Sequence, residues 1–366
     1  MKKEKLVIIF STSILVLYGL IMIYSSSMVW SEYKFHNKYH YVLYQFIFLI
    51  VGLFISKFIL KINLDIIKNN INKIFLIGIV LLSLVLIPGI GVVRNGSRSW
   101  FSIGPFGFQP SELMKIILII LTSKYLEKYH LRINKIRENL FPLLFVLFLV
   151  VGLIMLEPDF GSSLIIILTF VSMIFVSGLK YRYFSVIGII GLIASVIMII
   201  IAPYRLMRII SFVDPWKDPL GSGYQIIQSL FAISPGGLFG HGLFSSIQKN
   251  FYLPEPQTDF IFSIVCEELG LIGAVILIML LITLIINIYK VSFKENDYFY
   301  KFLSFGIASS IALQSIMNLS VVVGLVPVTG VTLPFFSYGG SSLLTTLVEI
   351  ALIINIINRK NISSQV

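Results

Sequence analysis

Apolar residues come in long runs, most of them near the ~20 that cross a bilayer, and polar connections separate the runs along the whole chain. The runs predict helices over about residues 6–27, 40–60, 74–90, 110–125, 140–156, 164–179, 184–202, 261–289, 302–325 and 341–357. The pattern therefore predicts an all-α, polytopic membrane protein of about ten transmembrane helices, a single integral membrane domain over residues 1–366. Lys2, Lys3 and Lys5 precede the first run as they would in a signal peptide, but no small-residue cleavage pattern follows near Met28 and Trp30. The first helix is read as retained.

Composition agrees with the pattern. Of the 366 residues, 57% are hydrophobic and only 12% charged, against about 25% charged in a soluble domain. A soluble enzyme, a disordered tail and a secreted disulfide scaffold are excluded on that ground. One cysteine, Cys266, leaves no disulfide within the chain and no cysteine cluster for a metal.

Charge orients the helices. The net charge of +11 falls in clusters at every other connection: the N-terminal lysines, Lys57 to Lys73, Lys124 to Arg137, Lys180 and Arg182, Lys290 to Lys301, and Arg359 with Lys360. Alternation of this kind follows the positive-inside rule, so both termini are placed in the cytoplasm and the protein in the cell membrane. A basic balance of this origin implies no nucleic-acid partner. One connection stands apart. Residues 203–260, between the seventh and eighth helices, form a long extracellular loop, and long ordered loops are often functional.

Chemistry concentrates near the end of that loop. Asp259 lies in Leu253-Pro-Glu-Pro-Gln-Thr-Asp259, where two prolines bar a regular helix until the apolar run begins at Ile261. The carboxylate is thereby held at the membrane boundary, where partial desolvation suits a general base. A helix-start acid reads equally well from the spacing. Glu267 and Glu268 follow two turns into the same run, where carboxylates are costly and take a functional or a paired role. Glu112 and Lys115 are three apart and share a helix face, which offers either an ion pair or a cation for an anionic substrate. Arg98, Arg205 and Arg208 fall on the extracellular side, as head-group anchors or as substrate cations; cations there run against the positive-inside rule, which gives them weight.

Other features read as local structure. Glu157-Pro-Asp-Phe-Gly161 is explained by turn chemistry, and Gly236, Gly237, Gly240 and Gly242 match no phosphate-binding pattern and serve turns. The Pro/Gly segment 326–342 is a turn or re-entrant stretch, tolerated at membrane depth only inside protein or along a cavity. His36, His40, His130 and His241 are scattered, and no metal-ligand set is read from them.

Several of these segments, in one order, resemble the SEDS family (shape, elongation, division and sporulation; the FtsW, RodA and SpoVE proteins). They are Gly104-Pro-Phe-Gly-Phe-Gln-Pro-Ser-Glu112, Pro158-Asp-Phe-Gly161, Pro215-Trp-Lys-Asp-Pro219, Leu253-Pro-Glu-Pro-Gln-Thr-Asp-Phe260, and Pro327-Val-Thr-Gly330 through Ser342. The run Val92-Val-Arg-Asn-Gly-Ser-Arg-Ser-Trp100 places the chain nearest the FtsW-like branch. The resemblance implies a peptidoglycan glycosyltransferase that polymerises lipid II at the outer face of the membrane, for division or spore cortex. Asp259 would take the proton of the acceptor 4-hydroxyl, and Arg98 and Lys115 would steady the pyrophosphate. Glu112, Glu255 and Glu268 complete the expected substrate contacts. A divalent cation, Mg²⁺ or Mn²⁺, is expected to assist, and a class B penicillin-binding protein to supply the transpeptidase alongside other divisome or sporulation membrane proteins. Two departures are Glu157, where the family often has Gln, and Gln257, where many members have His. A lipid II flippase and a non-catalytic scaffold are the competing readings.

Overall fold

The structure, a computed structural model, describes residues 1–94, 96–104, 106–186, 188–189, 191, 207 and 210–363. Most of the seventh expected span, together with Arg205 and Arg208, lies outside the described residues. Ten helices organise the rest: α1 (Lys2–Phe35), α2 (His40–Ile59), α3 (Leu64–Val85), α4 (Pro110–Tyr129), α5 (Phe141–Leu156), α6 (Phe160–Val176), the short α7 (Tyr224–Ile233), α8 (Ile261–Lys294), α9 (Tyr298–Val322) and α10 (Gly340–Ser363). Seven helical stretches are long and apolar enough to cross a membrane: α1, α2, α3, α5 with the turn before it, α8, α9 and α10. α6 is apolar but shorter.

α4 sits in the middle of the bundle, packed against α3, α5, α6, α9 and α10. Its charges keep it from reading as a strong apolar run, yet Lys115, Ser111, Thr122 and Ser123 are all buried. Buried Ser, Thr, Asn and Gln recur in α1, α9 and α10, where small polar residues let helices approach and bond across the interface. Gly19 shows how close: a Cβ there would lie 2.8 Å from the carbonyl oxygen of Phe335.

Two features depart from the sequence expectation. Residues 92–108 were expected to be connection only, but they build a three-stranded antiparallel sheet of β1 (Val92–Arg94), β2 (Ser97–Ile103) and β3 (Phe106–Phe108). β1 and β3 are only three residues each, too short to leave a periodic signature. The second is α8. Its 34 residues would reach about 51 Å at 1.5 Å per residue, beyond the ~30 Å of a hydrocarbon core. The helix breaks at Gly270 (φ 63°, ψ −160°), residues 261–268 are buried in protein, and the outward-facing apolar stripe of Leu271, Ile272, Val275 and Ile276 starts only after the break. Glu267 and Glu268 therefore precede the bilayer-facing part of the helix rather than lying two turns inside it.

The glycine run caps that break. The N–H groups of Leu271 and Ile272 donate to the carbonyls of Gly237 and Leu238, while the carbonyls of Glu267 and Glu268 accept from His241 and Gly242. Four backbone groups flanking the break thus find partners in the glycine run. A Cβ at Gly240 would lie 2.3 Å from the Glu268 carbonyl carbon, so only glycine lets the two segments lie side by side. These glycines do more than turn the chain.

Candidate active site

A cavity of about 830 Å³ opens at the end of the bundle that carries the sheet, walled by the starts of α4, α6 and α10, the segment 255–259 and the segment 329–332. The opposite end of the bundle carries Lys57, Lys61, Lys128, Lys294 and Arg359 at or just beyond helix ends. Pro110 starts α4 at its first position, where a missing N–H costs nothing. That start aims Ser111, Glu112 and Lys115 into the cavity, because residues three and four apart share a helix face.

Lys115 forms the floor. Its Nζ lies 3.0 Å from Glu112 Oε2 and donates to Gln314 Oε1 at 2.7 Å. Gln314 in turn donates to the Thr332 carbonyl at 3.0 Å, and Thr345 Oγ1 donates to Glu112 at 3.1 Å. Glu112 and Lys115 are bonded to each other, and both line the cavity. Glu349 is wholly buried within electrostatic reach of the same lysine.

Asp259 lines the cavity with Glu255, Gln257 and Thr258. Its backbone is fixed from behind. Asn318 Nδ2 donates to the carbonyls of Asp259 and Val331, both at 2.8 Å, so one buried amide ties α9, the Asp259 turn and the 326–339 segment together. Tyr338 N–H donates to the Gln257 carbonyl at 2.8 Å. A Cβ on Gly330 would lie 3.8 Å from Asp259 Oδ2, which places the carboxylate beside that segment. α8 begins without a side-chain cap.

Three expectations change. Arg98 does not line the cavity; its guanidinium donates to the Leu86 carbonyl at 3.3 Å, at the C-terminus of α3, where the exposed carbonyls favour a cation. Arg94, on the neighbouring strand, lines the cavity instead and lies over Trp100 at 5.1 Å. Glu268 does not line it either: it is buried against Lys249 at 2.8 Å. Asp159, explained from sequence as turn chemistry, both caps α6 through Ser162 N–H at 3.0 Å and faces the cavity, accepting from Gln109 Nε2 at 2.7 Å and Ser111 Oγ at 3.2 Å. Burial pushes its carboxyl up, and the bonds from Ser162 pull it back. Gln314 and Asn318 were missed as well, although polar residues four apart in an apolar run are a readable signal of one inward face.

Just behind Asp159, Glu157 is fully buried, and neither carboxylate oxygen has a hydrogen-bond partner among the described residues. Its backbone carbonyl accepts from Ser97 Oγ, tying the turn to the sheet. Burial, with the Asp159 carboxylate adding to it, pushes the Glu157 carboxyl up to about 9 from an ordinary 4.5. The folded form then holds a proton that the unfolded chain releases, so stability declines as pH rises through that window. Glu157→Gln is expected to remove this slope, raising the unfolding temperature at pH 8 by about 2 °C or more and leaving it nearly unchanged at pH 4.5. Thermal unfolding in detergent at the two pH values checks it.

Comparison with known proteins settles the kinship. The Cell cycle protein family model, which describes FtsW, RodA and SpoVE, matches residues 5–362. The chain belongs to this family. Stage V sporulation protein E of Bacillus subtilis is 44% identical, covering 96% of this chain and 96% of that protein. The probable peptidoglycan glycosyltransferase FtsW of Coxiella burnetii is 39% identical over 96% of this chain and 95% of its own. Among solved structures, a chain from a peptidoglycan synthase complex that coordinates polymerization and crosslinking superposes with a TM-score of 0.80 at 29% identity, covering 96% of this chain and 97% of that one. The rod shape determining protein RodA of Thermus thermophilus gives 0.71 at 27% identity over 96% of both chains. The resemblance read from the motifs is thus a family membership that spans nearly the whole chain.

Proposed function

We propose that this family member is a peptidoglycan glycosyltransferase that polymerises lipid II, with Asp259 as its general base. The observation that carries the reading is one cavity in which Asp259 shares walls with three cations, Lys34, Arg94 and Lys115. The names of the FtsW relatives support it. Asp259 accepts the proton of the acceptor sugar's 4-hydroxyl as that oxygen attacks the donor's anomeric carbon. The bond from that carbon to the diphosphate oxygen breaks, undecaprenyl pyrophosphate leaves with the bonding pair, and the anomeric configuration inverts. Arg94 at the rim, in place of Arg98, and Lys115 on the floor attract the diphosphate, where charge builds in the transition state. Glu112 orients Lys115, and Glu255 meets the sugar.

The cavity end is assigned to the extracellular side, since the basic clusters gather at the other end. This gives cytoplasmic termini and ten spans: the seven strong ones, α4, α6 and the segment 184–202, the last on sequence alone. Residues 1–366 act as one membrane unit, with a class B penicillin-binding protein as transpeptidase partner, a pairing supported by the complex that the chain resembles. The expected divalent cation meets a poor cage: no group of three His, Cys, Asp or Glu converges among the described residues, and Glu112 and Asp159 are already bonded.

Purified protein with its transpeptidase partner and labelled lipid II is expected to yield glycan polymer. Lipid II crossing vesicles with no polymer formed would favour a transporter, and neither outcome would favour a scaffold. In the same assay Arg94→Ala is expected to lower kcat/KM about tenfold or more, with Arg94→Lys in between because a lysine keeps the charge and loses the fork. An unchanged kcat/KM in Arg94→Ala would remove the arginine from the site.

A further inference from the structure

Two acids that face no cavity carry an unusual share of bonds. Glu267 accepts the backbone N–H of Ile247 at 2.7 Å and of Gln248 at 3.3 Å, and the Ser246 hydroxyl at 2.5 Å. Glu268 accepts the N–H of Phe244 at 3.1 Å and of Ser246 at 3.2 Å, the Ser25 hydroxyl at 2.6 Å and Lys249 Nζ at 2.8 Å. Both acids and Lys249 are almost wholly shielded from solvent.

Apart from Ser25, every donor comes from residues 244–249, a single stretch that ends ten residues before Asp259. The acids themselves follow Asp259 by eight and nine residues. They close the base of one loop, 246–267, whose tip presents Glu255, Gln257, Thr258 and Asp259 to the cavity. Beyond this base the Asn318 and Tyr338 bonds hold the tip's backbone from outside, and turns shape it within, among them Leu253 N–H to the Gln248 carbonyl at 2.9 Å and Thr258 N–H to the Glu255 carbonyl at 3.1 Å. A buried ion pair adds little stability over packed apolar residues of similar volume, but in a low-dielectric site fully satisfied bonds admit one register and resist others. Acid–amide bonds are directional where apolar packing is not, so they fix where the base of the loop stands.

We propose that Glu267, Glu268 and Lys249 are positioning residues for Asp259: they clamp the two ends of its loop together and thereby set the carboxylate's place in the cavity. This rests on the glycosyltransferase reading only in taking Asp259 as the reacting group. The clamp acts on geometry in the transition state, so its loss falls on kcat more than on substrate affinity.

The test compares the wild-type protein with Lys249→Met/Glu268→Leu, which removes both buried charges together, and with Ser246→Ala, which removes one hydroxyl and leaves every charge in place. Expected are an unfolding temperature near wild type in both, kcat lower by about tenfold in the double variant and about threefold in Ser246→Ala, and a KM for lipid II within about twofold. Hydrogen–deuterium exchange of amides 251–260 is expected to speed up in both, with α9 unchanged. Glu267→Gln, which keeps an acceptor, is expected to retain more kcat than Glu267→Leu. Variants that match wild type in kcat and in exchange would overturn the proposal, as would a rise in KM at constant kcat. A double variant that melts early leaves Ser246→Ala and the Glu267 pair to decide. If the wild type makes no polymer, the catalytic reading fails by itself, while the exchange rates still report on the clamp.

Discussion

Asp259→Ala is expected to cut lipid II polymerisation by about a thousandfold or more while the protein folds and inserts as before. General-base catalysis alone is worth about 10²–10⁴, and the cavity's acids on α4 and at the start of α6 are already engaged. Glu112 is bonded to Lys115, and Asp159 is held by Ser162, Ser111 and Gln109. Folding is spared because Asn318 grips the backbone carbonyl of Asp259, a bond that alanine keeps. Asp259→Asn should fail as fully as alanine, since the amide preserves shape and loses the basic oxygen. Asp159→Asn is the instructive contrast. Asparagine caps a helix about as well as aspartate, so that variant should retain both fold and measurable polymer. Single-turnover rates with labelled lipid II separate the cases, and Asp259→Asn working at even a tenth of the wild-type rate would end the base assignment.

The route from sequence to this site was uneven, for physical reasons. Apolar run length announces a span because every backbone bond must be satisfied in lipid, and α1, α2, α8, α9 and α10 were readable on that basis. Run length does not say where the bilayer stops. α1 and α8 each continue for 34 residues because their ends find protein to pack against, which a hydropathy window cannot see. α4 was legible only in part: its charges depress its hydropathy, yet they are tolerated because Lys115 and Glu112 bond to each other and to Gln314 and Thr345.

Asp259 was visible because two prolines and a following apolar run fix a boundary by local rules alone. Arg94 against Arg98 was not, since the two lie on adjacent strands of a sheet with no periodic signal. The clamp of residues 244–249 on Glu267 and Glu268 is likewise a tertiary fact. The sequence offered two adjacent carboxylates and a lysine eighteen residues upstream of the first; only the fold brings the latter onto Glu268.

The second large effect is expected at Lys115. Lys115→Met should lower polymerisation about a hundredfold and also weaken the fold by about 3–5 kcal/mol, because it strands a carboxylate in the interior rather than merely deleting a bond. Glu112 would lose its cation, Glu349 would lose the nearest compensating charge, and Gln314 would lose its donor. Stability and catalysis separate in the double variant Lys115→Met/Glu112→Gln. Neutralising the partner relieves the stranded charge, so the unfolding temperature should recover most of the way. Activity should not, because the floor then offers no cation to the diphosphate as charge develops on it. If polymerisation returned together with the unfolding temperature, Lys115 would be a packing element, and the cavity's anion contact would have to rest on Arg94 and Lys34 at the rim.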